Sequence, residues 1–195
     1  AANIISAQVI MKPNCVLGLA TGSTPIGTYD KLIEAYKSNE VSFAKVKSIN
    51  LDEYVGISWS NTESYRYFMN EHLFDHVDID KTNTHVPNGL AGDLDEECAR
   101  YDALYDQIGP VDIQVLGIGL NGHIGFNEPG TSLSAPTHIV KLSDSTRQAN
   151  SRNFTSLDAV PYKAITLGMA GIMKAKKIVL LASGPAKRDA IEKTV

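Results

Sequence analysis

The residue types best suited to chemistry are concentrated in one stretch, Gly119-Leu120-Asn121-Gly122-His123-Ile124-Gly125-Phe126-Asn127-Glu128-Pro129-Gly130. Its glycines and proline are too dense for a regular helix. An imidazole, a carboxylate and two side-chain amides are set into that irregular backbone. Histidine titrates near neutral pH, and a nearby glutamate can orient it or exchange protons with it. Glycine lets backbone come close to a ligand. The combination suits proton transfer on a small bound molecule. The plainer reading is a tight turn in which His123 and the asparagines satisfy backbone groups.

Three further places carry candidate groups. Asp52, in Asn50-Leu51-Asp52-Glu53-Tyr54, sits where an apolar run meets a loop. It serves as a general base if burial raises its pKa, or otherwise caps a turn. Ala20-Thr21-Gly22-Ser23-Thr24-Pro25 links an apolar run to an amphipathic pattern. Small residues ahead of a helix offer free N–H groups and the positive dipole end, a cradle for phosphate. Ser23 or Thr24 is expected to cap that helix, with Pro25 at its first position. With no ligand, the same residues are simply a capped helix start. The loop lacks the Gly-Lys-Ser/Thr of a Walker A motif, and Gly18 and Gly22 are wrongly spaced for a dinucleotide fingerprint. Ser183-Gly184-Pro185-Ala186-Lys187 copies the logic of the first loop. Lys187 there adds a point charge for phosphate or is merely solvated. Residues 143–154 are polar, contain Arg147 and Arg152, and read as a lid. His72 and His76 have no third ligand at metal spacing and read as surface residues.

These groups need strands and helices to bring them together. Apolar runs at 15–19, 46–51, 111–118, 163–167 and 178–182 read as strands, the last of them clearly buried. Helical periodicity places Ile26, Tyr29, Leu32, Ile33 and Tyr36 on one face, and Tyr65, Phe68, Met69 and Leu73 on another after the opening Asn61-Thr62-Glu63-Ser64. A third helix, 93–108, has an acidic start that suits the dipole and is structural rather than catalytic. Residues 170–175 read as a short helix, 75–87 as a polar connection, and 131–142 as a loop and short strand. Strands alternating with helices predict one domain over 1–195. Its fold class is a three-layer α/β/α sandwich with a mainly parallel, Rossmann-like open sheet. Loops 20–25, 52–54, 119–130 and 183–187 are then expected to gather on one sheet edge. Residues 1–12 read as the last turns of a helix, and Val195 ends a helical pattern without a cap. The chain is therefore expected to begin and stop inside its domain.

Composition narrows the partners. The 18 basic and 22 acidic residues leave a net charge of −4 with no basic run, so nucleic acid is not expected. No apolar run reaches the ~18 residues of a membrane span, and 1–12 lack the features of a signal peptide. Cys15 and Cys98 fall on core-like positions, imply no disulfide framework, and suit a reducing cytoplasm. The partner expected is a small molecule. Oligomeric state is not readable.

These segments together resemble the glucosamine-6-phosphate deaminase family, also called glucosamine/galactosamine-6-phosphate isomerases, along nearly the whole chain. Leu17 to Pro25 resembles its phosphate loop, Asn50 to Tyr54 its base-bearing segment, and Gly119 to Pro129 its signature. Ser145-Thr146-Arg147-Gln148-Ala149-Asn150-Ser151-Arg152 also fits. The resemblance implies conversion of glucosamine 6-phosphate to fructose 6-phosphate and ammonia, in amino-sugar catabolism, with no metal or organic cofactor. His123 would move a proton at the ring oxygen during ring opening. Asp52 would carry the C2 proton to C1 through an enolamine, and water would then displace ammonia. Glu128 would hold and tune His123, with Asn121 beside it. Thr21, Gly22, Ser23, Thr24, Arg152 and Lys187 would hold the phosphate. Family members usually carry further elements before residue 1 and after Val195.

Two positions depart from the family pattern. Some relatives have Asp where Asn121 stands, so here the imidazolium would rest more on Glu128, and activity is expected to survive. Allosterically activated relatives have basic residues where His138 and Val140 stand, so activation by N-acetylglucosamine 6-phosphate is not expected. Ribose-5-phosphate isomerases and 6-phosphogluconolactonases share parts of these loops, but Asp-Glu-Tyr with His-Ile-Gly-Phe-Asn-Glu-Pro favours the deaminase. A non-catalytic sugar-phosphate sensor should lack Asp52, His123 or Glu128, and all three are present.

Overall fold

Every residue of β1 (Val16–Leu19) is buried, and so is nearly every residue of β2 (Lys47–Asn50) and β5 (Ile113–Gly117). Strands buried on both faces need cover on both faces, and helices supply it. The computed structural model describes residues 1–194, leaving out the side chains of Ser145, Ala149 and Asn153. The expectation for Val195, and the side chains of Ser145 and Ala149 in the 145–152 segment, lie outside the described residues.

The main sheet is parallel, in the order β4-β2-β1-β5-β8, with β4 at Thr84–His85 and β8 at Ile178–Leu181. From β1 the chain moves outward through β2 to β4, then crosses back to β5 and β8. The crevice between β1 and β5 is therefore a topological switch point, where folds of this class bind ligands. Helices α1 (Ala2–Met11) and α2 (Ile26–Lys37) pack on each other. Helix α3 (Tyr65–Met69) widens into a π turn, Asn70–Phe74, that packs on α2. The remaining helices are α4 (Leu94–Ile108), α5 (Asp144–Asn150), α6 (Met169–Met173) and α7 (Arg188–Glu192). Tyr29, Leu32, Phe43, Ile49, Phe74, Tyr101 and Ile113 belong to one core cluster.

Asp112 staples this core at the far end of the strands. Its carboxylate accepts from Lys12 Nζ at 2.7 Å, Lys176 Nζ at 3.0 Å and the Val16 backbone N–H at 3.0 Å. The acidic start of α4 is structural, as expected. Asp93 caps it by accepting from Asp95 and Glu96 N–H, and buried Glu97 pairs with Arg100.

The structure departs from the sequence reading in four places. Asp52 does not open a loop: it starts β3 (Asp52–Tyr54) in a second, antiparallel sheet, β3-β7-β6, with β7 at Lys163–Thr166 and β6 at His138–Lys141. Only Leu51 separates the two sheets in sequence. Its N–H bonds Leu19 O of the main sheet while its carbonyl accepts from Leu167 N–H, so one residue joins both. Neither Ser23 nor Thr24 caps α2; Pro25 is the N-cap, without a side-chain bond, and its carbonyl accepts from Thr28 and Tyr29. The stretch 75–87 holds edge strand β4. Finally, β8 is not clearly buried: it ends the sheet among the described residues, and Ile178 is 42% exposed.

Candidate active site

Loops from the ends of the main-sheet strands meet at the switch point and enclose a cleft of about 240 Å³. Thr21, Gly22, Ser23 and Thr24 line it from the loop after β1, Asp52 from β3, His123 and Gly125 from the loop after β5, and Lys187 from the loop after β8. Thr146, Asn150 and Arg152 line it from α5 and the turn that follows. The expected gathering of strand-end segments on one edge is thus what the fold builds. Because Ser23 and Thr24 do not cap α2, their hydroxyls are left to the cleft.

Asp52 is only 6% exposed. Among the described residues its carboxylate takes no hydrogen bond, although it lines the cleft. Burial, reinforced by the neighbouring Glu53, pushes its pKa up to about 8. A buried carboxylate with no donor is disfavoured as the anion, and this makes a stronger base once ionised. Glu53 alternates to the other side of β3 and does a different job. Its carboxylate accepts from Tyr54, Tyr65 and Arg66 N–H at 2.8, 2.9 and 3.0 Å, so it satisfies the N-terminus of α3. Burial pushes Glu53 up to about 7 although those three bonds hold it down.

The His123 ring lies against the bare Cα of Gly119. A Cβ built there would fall 2.3 Å from the ring, so only glycine permits the approach. Burial holds the imidazole below its usual range; Glu128 opposes that and Lys187 adds to it. Asn121 and Glu128 do not line the cleft but stand behind His123. Asn121 Nδ2 donates to Glu128 Oε2 at 2.6 Å, and Asn121 Oδ1 accepts from the His123 backbone N–H at 3.2 Å. Among the described residues, neither side chain bonds the imidazole ring. Asn121 therefore acts on Glu128 and on the His123 backbone rather than on the ring.

The loop is fastened to the second sheet by a residue that spacing alone did not single out. Asn127, 3% exposed, donates from Nδ2 to Ile124 O at 3.0 Å and Leu167 O at 2.9 Å. Phe126 N–H donates to Thr166 Oγ1 at 3.2 Å, and Thr166 pairs with Asp52 across the β3–β7 ladder. Gly125, at φ +58°, brings the loop so close that a Cβ would lie 3.2 Å from Asp52 Oδ2. The hint in the sequence was an amide between Phe126 and Glu128-Pro129, where an exposed loop has no need of one. Glu53 carried a weaker hint, a carboxylate twelve residues before the helix it serves.

In the segment 143–154, expected to be a lid, Arg147 is an anchor. It is buried, donates from Nη2 to Leu157 O at 2.8 Å, and stacks 3.8 Å over the Tyr162 ring. Arg152 is exposed and lines the cleft. Asn150 ties this segment to β3 through a 2.9 Å bond to Tyr54 Oη. Lys187 bonds the carbonyl of Ile118. No three His, Cys, Asp or Glu side chains gather as metal ligands among the described residues.

A sequence model described as glucosamine-6-phosphate isomerases/6-phosphogluconolactonase matches residues 1–195. A glucosamine-6-phosphate deaminase of Lachnoclostridium phytofermentans is 59% identical over 195 residues, covering 100% of this chain and 83% of that one. One of Geobacillus sp. strain WCH70 is 56% identical over 193 residues, 99% and 77% of the two chains. A solved structure of a monomeric glucosamine-6-phosphate deaminase superposes with a TM-score of 0.96 at 49% identity, covering 98% of this chain and 80% of that one. The 6-phosphogluconolactonase of Thermotoga maritima, at 17% identity and a TM-score of 0.74 over 98% and 84% of the chains, shares the fold.

Proposed function

This chain belongs to the family of glucosamine-6-phosphate isomerases and 6-phosphogluconolactonases, and we propose that within it the chain is a glucosamine-6-phosphate deaminase acting in amino-sugar catabolism. The observation that carries the reading is the pairing of a buried carboxylate, without a hydrogen bond among the described residues, with an imidazole in one cleft beside the small-residue loop after β1.

The phosphate of glucosamine 6-phosphate sits against Thr21, Gly22, Ser23 and Thr24, with Arg152 and Lys187 supplying positive charge. Free N–H groups and two cations suit a dianion, and anchoring it fixes the reacting carbons at the far end of the cleft. His123, held neutral at pH 7 by burial, accepts the proton of the anomeric hydroxyl and returns one to the ring oxygen, which opens the ring. Asp52 then removes the proton from C2, giving an enolamine, and delivers it to C1. Water adds at C2 and ammonia leaves, so the product is fructose 6-phosphate. Glu128, steadied by Asn121, stabilises the imidazolium that forms on the way. Each step is a proton transfer or an addition of water, and no cofactor is assigned.

The test is ammonia release from glucosamine 6-phosphate, with 6-phosphogluconolactone as the control substrate. Wild type releases ammonia, and Asp52→Asn lowers kcat by about 10²–10⁴-fold, the usual worth of a positioned base. Turnover of the lactone in place of the amino sugar overturns the proposal.

A further inference from the structure

Lys187 does something in the cleft besides offering charge to a phosphate. Its ammonium bonds the carbonyl oxygen of Ile118. The other end of that same peptide, Gly119 N–H, donates to the backbone carbonyl of His123 at 2.8 Å. A single peptide group is thus bonded at both ends, by a lysine on one side and by the backbone of the histidine on the other. Hydrogen bonds in series polarise one another, so the strength of the first bears on the second. The His123 ring also rests on the Cα of Gly119, which belongs to that peptide's far side. Any shift of the 118–119 peptide therefore moves the floor under the imidazole.

We infer that Lys187 is a positioning residue that couples occupancy of the phosphate end of the cleft to His123, through the 118–119 peptide. The inference rests on the reading of that end as a phosphate site. The ammonium is a point charge on a flexible stem, so a phosphate dianion draws it away from the weaker neutral acceptor at Ile118 O. When the anion takes it, the peptide relaxes and Gly119 N–H donates less strongly to His123. The field on the imidazole changes in the same sense. Glu128, from its own loop, and Lys187, from the loop after β8, are the charged groups that act on it. Neutralising the lysine leaves Glu128 dominant and favours the protonated ring. A bound substrate thereby makes the imidazole a stronger base for the anomeric proton it must accept, and an empty cleft leaves it a weaker one.

The experiment is NMR of the Gly119 amide and the His123 ring in the whole chain, titrated with inorganic phosphate, for wild type, Lys187→Met and Lys187→Arg. In wild type, phosphate moves the Gly119 amide proton upfield and shifts the His123 titration to higher pH. In K187M both signals already lie displaced that way without phosphate, and saturating phosphate moves Gly119 no further. K187R, which keeps the charge, restores the response in part. A K187M spectrum with Gly119 and His123 at their wild-type positions overturns the coupling. So does a phosphate response in K187M as large as in wild type. Phosphate that binds wild type without moving Gly119 sinks this inference alone. Failure of phosphate to bind wild type at all sinks the reading of the cleft with it.

Discussion

A carboxylate buried without a donor is costly to ionise, and at Asp52 that cost is visible in two independent ways. The first is stability. With its folded-state pKa at about 8 and an unfolded value of about 4, the folded protein binds the extra proton between them. Stability contributed by the protonated form is therefore full below about pH 4 and lost as pH rises through the window to 8. Denaturant titrations should show Asp52→Asn gaining on wild type by about 1.4 kcal/mol per pH unit across that window. A gap independent of pH contradicts the burial argument. The second is rate. The C2 proton can be taken only by the anion, so kcat/KM should climb with pH and level off near 8. A plateau already reached at pH 5 would show that burial does not raise the pKa of the base. That Asp52, His123 and the 21–24 loop belong to one place was legible at this scale, because glycine density and residue type announce themselves. What Asn121 bonds was not, because a side chain two residues from a histidine can reach backbone or ring alike.

Among the elements, the parallel strands and long helices were readable from period and apolar runs. The second sheet was hidden because β3 is three residues long and lies one residue beyond β2, so the two read as one strand and its loop. Asn127 is what makes the hidden sheet matter, since it ties the His123 loop to the strand opposite Asp52. Replacing it with alanine removes two bonds, one from the buried Leu167 carbonyl and one from the half-buried Ile124 carbonyl, and should cost about 1–3 kcal/mol by denaturant unfolding. It should also lower kcat more than it raises KM, because the loop moves relative to the base while the phosphate end is untouched. Wild-type kcat in a folded N127A would show that the tie is only structural. Asp112 makes a different kind of link, between α1, β1 and the turn before β8. Burial alone would raise its pKa, but Lys12, the Val16 N–H and Lys176 outweigh that and hold it below the usual value. Its stabilisation is therefore present above pH 4 and lost as acid protonates it. Asp112→Ala should cost about 1–3 kcal/mol at neutral pH, since the Val16 N–H loses its acceptor while the part-exposed lysines return to water, and less at pH 3. An equal cost at both pH values would show that packing, not charge, is what the residue provides.

For the molecule as a whole, the fold brings the residues assigned to the cleft together from segments far apart in sequence. Where activated relatives carry basic residues for an effector's phosphate, this chain has His138, whose Nδ1 faces Pro136 O at 2.8 Å, and Val140 in β6. The rate should follow a hyperbola in glucosamine 6-phosphate, unchanged by N-acetylglucosamine 6-phosphate. A sigmoid curve straightened by that compound would refute this. No helix among the described residues is long and apolar enough to cross a membrane.

The junction at Leu51 has a mechanical consequence. The carboxylate rides on the second sheet, while the imidazole's loop springs from the main sheet and is pinned back to the second by Asn127, so on the proposed mechanism the reacting groups are held across a seam. Compression or a crowding cosolvent that alters how these sheets nest would reach the carbon–hydrogen bond before it reached the global fold. A deuterium isotope effect at C2 would then serve as a ruler for the seam, changing while circular dichroism still reports an intact protein.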